Sequence, residues 1–383
     1  MGPARLRAAV LLLAVGGLVA GCKESTGPQH FVVTSLSSGE QHSCSLATGG
    51  AGRCWGWNFY GELGLGSTDT NPHTSPASVS GGLTFAALST GGYHTCGLTA
   101  GGAAYCWGNG THGQLGAGAT SDNGAPAAVS GGAVFTAVTA GRYHTCGLVT
   151  GGAARCWGYN VSGELGLGTT DTLPHPAPVT VSGSLTFTGI TAGAYHTCGL
   201  TAAGAAYCWG QNTYGQLGDG SFASSAAPAP VSGGLTFTAL SAGGFHTCAL
   251  TAAGAVYCWG ANGYGQLGSG TTTNSAYPEP VSGLTVAQVS AGLLHTCAVA
   301  TSGQTYCWGF NDEGQLGNGS AANDSVPVAV QGGVTFASVA AGGYHTCALT
   351  SAGAVYCWGY GQFGQLGDGS IDAAYSPALV SSP

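Results

Sequence analysis

One pattern recurs seven times along this chain of 383 residues. A histidine is followed two residues later by a cysteine, and ten residues after that by a second cysteine that precedes Trp-Gly. The histidines lie 49 to 52 residues apart and are His42, His94, His144, His196, His246, His295 and His345. A period near 50 residues is typical of repeat architectures, in which each unit buries its apolar surface against its neighbours.

Short apolar runs separated by Gly, Asn, Ser and Pro predict β-strands within each repeat. In the fifth repeat we expect strands at 237–241, 246–251 and 255–260, and a weaker one around 280–282. No helical periodicity of useful length occurs. Seven units of four strands predict an all-β fold, a seven-bladed β-propeller with four-stranded blades. Radial repetition removes exposed sheet edges, whereas an open solenoid would need caps.

The spacing of the paired cysteines fits a β-hairpin. A three-residue turn, Ala252-Ala253-Gly254, places glycine where a positive φ is required. Cys248 then faces Cys258 at a non-hydrogen-bonded position, where Cα atoms approach to about 4.5 Å and a disulfide can form. We therefore predict one cross-strand disulfide in each blade, joining the pairs Cys44–Cys54, Cys96–Cys106, Cys146–Cys156, Cys198–Cys208, Cys248–Cys258, Cys297–Cys307 and Cys347–Cys357.

The repeated histidine and tryptophan have a structural interpretation. The histidines could form a ring of metal ligands, but oxidised cysteines cannot join such a site. We expect each histidine to hydrogen-bond a backbone group and to hold blades together. The seven tryptophans after cysteine are interpreted as packing between blades. They are Trp55, Trp107, Trp157, Trp209, Trp259, Trp308 and Trp358.

A family resemblance rests on the strings within each repeat. His-Thr-Cys-Ala-Leu-Thr, Val-Tyr-Cys-Trp-Gly and Tyr-Gly-Gln-Leu-Gly, followed by a segment with proline and valine, resemble the regulator of chromosome condensation repeat. The resemblance covers about residues 31 to 382, and Gly-Gln/Glu-Leu-Gly is present in every repeat. It implies a seven-bladed propeller. It implies little about function, because one fold serves many functions. The paired cysteines depart from the usual family repeat and suit an exported member.

The N-terminus is predicted to direct export. Residues 1–21 contain Arg5 and Arg7 before a short apolar run, as in a secretory signal peptide. Val19-Ala20-Gly21-Cys22 resembles a bacterial lipobox, so we expect Cys22 to carry a lipid after cleavage; an ordinary signal peptide is the alternative. Residues 22–30 would be the lipidated tether and 31–383 the propeller, anchored in the membrane only through its lipid. Export also supplies the oxidising compartment that disulfides require.

Charge and composition exclude several function classes. Only four cations follow the signal segment, Lys23, Arg53, Arg142 and Arg155, against 14 acidic residues. Such a chain cannot form the basic patch that nucleic-acid binding requires. We find no serine with a plausible base and expect no cysteine to stay free. We expect no cofactor and no metal, with a weak calcium site in turns such as Asp219 or Asp312-Glu313 left open.

The loops between Trp-Gly and Gly-Gln/Glu-Leu-Gly vary from blade to blade and carry aromatic residues. Equivalent loops in a ring should project to one face, where aromatic side chains favour binding of a protein or glycan. The alternative is that each ring packs onto its own blade. The Tyr or Phe before His, as in Tyr93 and Phe245, is expected to be structural. The proposed binding surface comprises Trp57, Phe59, Tyr60, Tyr159, Tyr214, Tyr264, Phe310, Tyr360 and Phe363.

These features together predict a monomeric, non-catalytic, lipid-anchored scaffold of the bacterial cell envelope that binds a protein or polysaccharide through one propeller face. Two alternatives come from resemblance. A secreted bacterial propeller of similar shape inhibits β-lactamases, which implies an inhibitor of an envelope or secreted enzyme. The founder of the regulator of chromosome condensation family is a guanine-nucleotide exchange factor, but export separates this chain from cytoplasmic GTPases. That transfer would rest on fold analogy alone.

Overall fold

Seven antiparallel sheets of four strands make up residues 32–381, the part of the chain that the computed structural model describes. The strands of each sheet pair in chain order, so each blade is built from consecutive residues. A single 3-10 turn, Ser80–Gly82, follows blade 1 within this range. No helix in this range is long and apolar enough to cross a membrane. The predicted signal peptide and Cys22 lie outside the described residues. The seven-bladed all-β prediction is confirmed.

The strand bounds repeat from blade to blade. The first strands are Val33–Ser38, Ala87–Thr90, Phe135–Ala140, Gly189–Ala192, Ala239–Ala242, Val286–Ala291 and Ser338–Ala341. The second strands are His42–Ala47, His94–Leu98, His144–Val149, His196–Leu200, His246–Leu250, His295–Ala300 and His345–Leu349. The third strands are Gly52–Gly56, Ala104–Gly108, Ala154–Gly158, Ala206–Gly210, Val256–Gly260, Thr305–Gly309 and Val355–Gly359. The fourth strands are His73–Ser78, Asn123–Ala128, His175–Thr180, Ser225–Pro230, Ser275–Pro280, Asp324–Ala329 and Ala374–Leu379.

The first strands lie innermost. Those of successive blades contact one another around the ring, and all seven contribute to the lining of one central channel. Glycine and alanine dominate that lining, for example Gly91 and Ala192. The fourth strands are the outer edges, and they contain prolines such as Pro278 and Pro280. Proline is tolerated there because an edge strand need not donate every backbone N–H.

The central hairpin of each blade has the predicted register. Cys248 pairs with Cys258 and His246 with Gly260, and Gly254 in the turn has a φ of 78°. All seven predicted disulfides are present, with Cα atoms 4.0 to 4.1 Å apart. The fourth strand is a correction, because it runs over Ser275–Pro280 instead of residues 280–282. A register shift between Cys258 and Gly260 brings Gly260 opposite Ser275, so the long loop rejoins the sheet earlier than the sequence suggests.

The apolar core lies between blades, in seven separate clusters. Each cluster joins the disulfide of one blade to the tryptophan of the next, as Cys248–Cys258 joins Trp308. All seven tryptophans are completely buried, which confirms their packing role. Each indole N–H also donates to a backbone carbonyl of the preceding blade, as from Trp308 to Gln266 at 2.9 Å. Apolar burial and a specific bond therefore act at the same point of each blade boundary.

The seven repeated histidines, here called the ring histidines, connect each blade to the next. Nε2 of His42 lies 2.8 Å from the hydroxyl of Thr95, whose own hydroxyl donates to the Glu62 carbonyl at 2.9 Å. The Thr95 hydroxyl donates its only proton to the carbonyl and can only accept from the histidine. The hydrogen of the imidazole is therefore on Nε2, which donates it to Thr95. The same contact recurs at every boundary. The histidines hold blades together as predicted, but their partner is a side-chain hydroxyl instead of the backbone.

The ring closes between blades 7 and 1 with the contacts found at other boundaries. Ser43 meets Nε2 of His345 at 2.7 Å, and Trp55 donates to the Gln365 carbonyl at 2.9 Å. The Val33 N–H also donates to the Gly353 carbonyl at 3.2 Å. No strand is shared between the first and last blades within residues 32–381. Closure therefore depends on side-chain and loop contacts and not on sheet pairing.

Candidate binding face

One side of the propeller carries two connections from every blade. Because neighbouring strands run antiparallel, the link from first to second strand and the link from third to fourth strand emerge at the same end of the sheet. In blade 1 these are residues 39–41 and 57–72. We call this side, with the equivalent connections of the other blades, the loop face. It is where the sequence placed the variable aromatic residues.

The Gly-Gln/Glu-Leu-Gly element fixes the start of each long loop. Leu63 is completely buried, and its N–H donates to the Asn58 side chain at 3.2 Å. The Glu62 carboxylate accepts the Tyr60 N–H at 2.9 Å. Gly64 has a φ of 73°, and a Cβ there would lie 2.7 Å from Nε1 of Trp107. The element is thus a buried structural turn that presses on the next blade.

A buried asparagine is a part of this turn that sequence reasoning missed. Asn58, Asn160 and Asn262 accept from the leucine N–H and donate back to the loop through Nδ2. The signal was available, because Trp-Gly-x-Asn occurs in five of the seven repeats. The second and the last repeat have Gly110 and Gly361 instead, where a Cβ would collide with the carbonyls of Ser121 and Asp372.

All nine predicted surface aromatics lie on the loop face. Phe59, Tyr214 and Tyr264 are 48, 39 and 41% exposed, and the other six are half-buried. Their rings contact each other across blade boundaries. Trp57 lies 4.7 Å from Phe363, measured between ring centroids, and Tyr264 lies 4.9 Å from Phe310. Rings also pack within one blade, as Tyr360 does on Phe363 at 5.6 Å, and binding of a partner by this surface stays a prediction.

The aromatic residues before the ring histidines extend this surface inward. Tyr93, Tyr143, Tyr195 and Phe245 follow one another around the channel mouth with centroid separations of 5.5, 6.3 and 5.9 Å. They are half-buried, and loop aromatics pack against them, as Tyr60 does on Tyr93 at 5.9 Å. Besides their structural role, they form one aromatic surface with the variable loops.

A charged pair lies at the mouth of the channel. Nε of Arg142 is 3.2 Å from the Glu40 carboxylate, and its Nη2 and Nη1 donate to the hydroxyls of Tyr93 and Tyr195 at 2.9 and 3.2 Å. A Cβ on Gly92 would lie 2.8 Å from Arg142 Cγ, so glycine in blade 2 leaves room for the pair. Sequence reasoning missed this pair. Glu40 and Arg142 lie at the same repeat position in blades 1 and 3, and the sequence does not show that these positions meet across blade 2.

Burial and mutual attraction oppose each other in this pair. Burial raises the pKa of Glu40, and the Arg142 guanidinium offsets only part of that effect. Burial disfavours the charged guanidinium, but the Glu40 carboxylate and the Tyr93 hydroxyl outweigh it and raise the pKa of Arg142. The arginine stays charged, so the channel mouth keeps a fixed cation beside a carboxylate.

Two buried carboxylates lie under the loop face. Burial raises the pKa of Glu62 and of Glu164 to about 7, although backbone N–H groups partly stabilise the ionised forms. The other five blades have glutamine at this position. Both groups are enclosed between blades, with at most 1% of either residue exposed. We assign them to the turn and not to a reaction.

The described residues offer little for metal binding. Within residues 32–381, no three His, Cys, Asp or Glu side chains are placed to hold one metal ion. Nε2 of each ring histidine is hydrogen-bonded to a hydroxyl. The fourteen cysteines of this range are oxidised to disulfides. That the chain uses no cofactor stays a prediction.

Comparison with protein families matches most of the propeller. A family described as the RCC1-like domain matches residues 125–383. The regulator of chromosome condensation (RCC1) repeat matches residues 54–98 and 101–148, and a second model of that repeat matches residues 85–114. The matched ranges contain the Cys-Trp-Gly and Gly-Gln/Glu-Leu-Gly elements on which the resemblance rested.

Curated relatives match only short stretches. The human probable E3 ubiquitin-protein ligase HERC4 is 39% identical over 85 residues, which cover 22% of this chain and 8% of the ligase. The ultraviolet-B receptor UVR8 of Arabidopsis thaliana is 32% identical over 83 residues, covering 22% of this chain and 19% of the receptor. The aligned stretch therefore spans less than a fifth of the length of either relative.

Solved structures share the whole architecture. Human WBSCR16 superposes with a TM-score of 0.78 at 22% identity, covering 86% of this chain and 93% of that protein. Prp20p of Saccharomyces cerevisiae, described with its binding properties to Gsp1p and histones, gives 0.77 at 22% identity, covering 92% and 88%. Identities this low show a common fold and nothing more.

Proposed function

We propose that this chain, which belongs to the family of RCC1-like domains, is a non-catalytic scaffold that binds a partner protein through its loop face. The observation that carries the proposal is the aromatic surface contributed by blade after blade around that face. Large exposed rings such as Phe59 and Tyr264 bury much area at small entropic cost, and such residues dominate binding energies. A polysaccharide would use the same stacking surface and is the second partner class.

The blade frame supports a rigid binding face. One disulfide in each blade, and one histidine–hydroxyl bond at each boundary, fix the strands from which the loops emerge. Loops on a rigid scaffold lose little conformational entropy on binding. Prp20p, which shares this fold, is described with its binding properties to Gsp1p and histones, and we propose a protein partner for this propeller by analogy of fold.

The proposed location is the bacterial envelope, with the propeller held by a lipid on Cys22. The support is the N-terminal sequence together with seven disulfides, which form and persist in oxidising compartments. Inhibition of an envelope or secreted enzyme, such as a β-lactamase, would be one use of the same face and stays a prediction. Guanine-nucleotide exchange likewise stays a prediction from fold analogy.

The test compares capture of envelope proteins by the wild-type chain and by the triple variant W57A/Y60A/Y264A. We expect the triple variant to lose at least about 100-fold in affinity for the captured partner, since each hot-spot ring contributes about 2 kcal/mol. The matched control is Y277A/Y375A, which removes two exposed rings from outer strands. Equal capture by the triple variant, with unchanged thermal unfolding, would show that the loop face is not the binding surface.

A further inference from the structure

A cavity of about 350 Å³ lies on the loop face where blades 6, 7 and 1 meet. Four aromatic rings and two carboxylates line it: Phe310, Tyr344, Tyr360, Phe363, Glu40 and Glu313. Their side chains are half-buried, so they are accessible from the loop face. This combination of π-faces with negative charge is the chemistry that recognises an organic cation.

The rings and carboxylates are close enough to act together. Phe310 lies 6.0 Å from Tyr344, and Tyr360 lies 5.6 Å from Phe363, between ring centroids. Burial raises the pKa of Tyr360, and the Glu313 carboxylate raises it further. Burial, and after it the Glu40 carboxylate, raises the pKa of Tyr344. Each carboxylate therefore places its charge beside a ring of the cavity.

The same face already binds one guanidinium in this way. The Arg142 guanidinium carbon lies 5.5, 5.6 and 5.8 Å from the ring centroids of Tyr93, Tyr143 and Tyr195, and its Nε is paired with Glu40. Glu40 also lines the cavity, which adds four aromatic rings and a second carboxylate, Glu313. No lysine or arginine of the described residues 32–381 lines it.

We propose that this cavity binds an arginine side chain of the partner protein. A planar guanidinium stacks on aromatic faces and donates several N–H groups in one plane, which suits the Tyr360 and Phe363 rings beside Glu313. A quaternary ammonium would stack but could donate nothing to the carboxylates. A lysine ammonium is more strongly hydrated and stacks less well. The inference rests on the proposed function, because it names the partner chemistry for the loop face.

The experiment titrates the whole chain with N-acetyl-arginine N-methylamide and, in parallel, with the citrulline analogue, which is nearly isosteric but uncharged. Calorimetry measures affinity. A change in tryptophan fluorescence on binding reports the place of binding, because Trp57 lies 4.7 Å from Phe363, whereas the other seven tryptophans are buried away from the cavity's ligand. We expect saturable binding of the arginine compound and at least about tenfold weaker binding of citrulline, as expected for a desolvated cation on aromatic rings.

Two variants locate the site and two controls match them. E313Q should weaken arginine binding about three- to fivefold, the range of a partly exposed ion pair. Y360L should weaken it about three- to thirtyfold through loss of one π-face. E279Q and Y277L change a glutamate and an exposed tyrosine on the outer strand of blade 5, and should leave the affinity unchanged. Thermal unfolding of each variant verifies that it is folded.

Three results would overturn the inference: no saturable binding, equal binding of citrulline, or wild-type affinity in both E313Q and Y360L. The inference and the proposed function fail separately. If the arginine compound does not bind but W57A/Y60A/Y264A still abolishes partner capture, only the arginine site is wrong. If the compound binds with the expected variant pattern but capture is independent of the loop face, the proposed function is wrong.

Discussion

Acid should unfold this propeller steeply, because the seven ring histidines cannot be protonated where they lie. Burial lowers the pKa of each from 6.5 to about 3, and neighbouring ring histidines contribute in several cases. Each Nε2–H already donates to a hydroxyl, and each Nδ1 is buried without a partner. A proton placed on Nδ1 would have no acceptor.

The sign and size of the effect follow from linkage. The unfolded chain binds histidine protons below pH 6.5, whereas the folded chain binds them only near pH 3. The histidines' contribution to stability is therefore complete above pH 6.5 and is lost as the pH falls toward 3. Glu62 and Glu164 act in the opposite direction. Their raised pKa values, about 7, mean that the folded state holds their protons between pH 7 and 4.5, which offsets about two of the seven.

Unfolding in this pH range takes up a net total of about four to five protons. The free energy of unfolding therefore falls by about 6 kcal/mol for each pH unit of acidification. Domains are stable by about 5–15 kcal/mol, so a drop of one to two pH units below 6 exhausts the stability. We therefore expect cooperative unfolding near pH 4 to 5 with the disulfides intact.

Urea unfolding at half-unit steps from pH 7 to 3.5, followed by fluorescence of the buried tryptophans, measures this slope. H246Q removes one ring histidine and should lower the slope by about 1.4 kcal/mol per pH unit. T296V removes the hydroxyl partner of His246 but keeps all seven histidines. It should cost about 1–3 kcal/mol at pH 7 and leave the slope unchanged. A slope of one proton or fewer between pH 6.5 and 4 would refute the reasoning.

Two further predictions concern single blades. E164Q should stabilise the fold by about 3 kcal/mol at pH 8.5 and hardly at pH 4.5. The reason is that the cost of ionising Glu164 in the folded state is complete above its folded pKa of about 7 and vanishes below 4.5. Urea midpoints at the two pH values measure this stabilisation, and equal shifts at both would contradict it. C248S/C258S should lower the free energy of unfolding by about 2–3 kcal/mol, the loop-entropy value for ten residues. Intact mass should show that wild-type chain gains fourteen hydrogens on reduction and the variant twelve.

What the sequence predicted well was local. The hairpin between Cys248 and Cys258 needs only its own cysteine spacing and the turn glycine, so its register could be derived without knowing the rest of the ring. The fourth strand, Ser275–Pro280, could not be placed in the same way. It pairs on one side only and follows a long loop across a register shift, so no strong alternation of side chains marks it.

What the sequence missed depends on contacts between blades. The hydroxyl that accepts from each ring histidine belongs to another repeat, although the Ser or Thr that follows every ring histidine was a usable signal. The Arg142–Glu40 pair joins two blades that are not neighbours and occurs once. Repeat analysis detects what all blades share, and such single features, including the cavity beside Glu313, are visible only when the ring is assembled.

The histidine–hydroxyl bonds have a consequence for the ring as a whole. Adjacent residues of a strand point to opposite sides. In each His-Thr pair, and in His42-Ser43, the histidine therefore donates to the next blade and the hydroxyl accepts from the histidine of the previous blade. In a closed ring, every histidine has a hydroxyl acceptor on the next blade and no blade is terminal. A row of blades that failed to close would leave one histidine and one hydroxyl exposed to water at its ends and would lose one such bond, worth about 0.5–1.5 kcal/mol. Hydrogen bonding by itself therefore favours closure of the ring. A fragment that lacks one blade has one ring histidine without its acceptor and one hydroxyl without its donor.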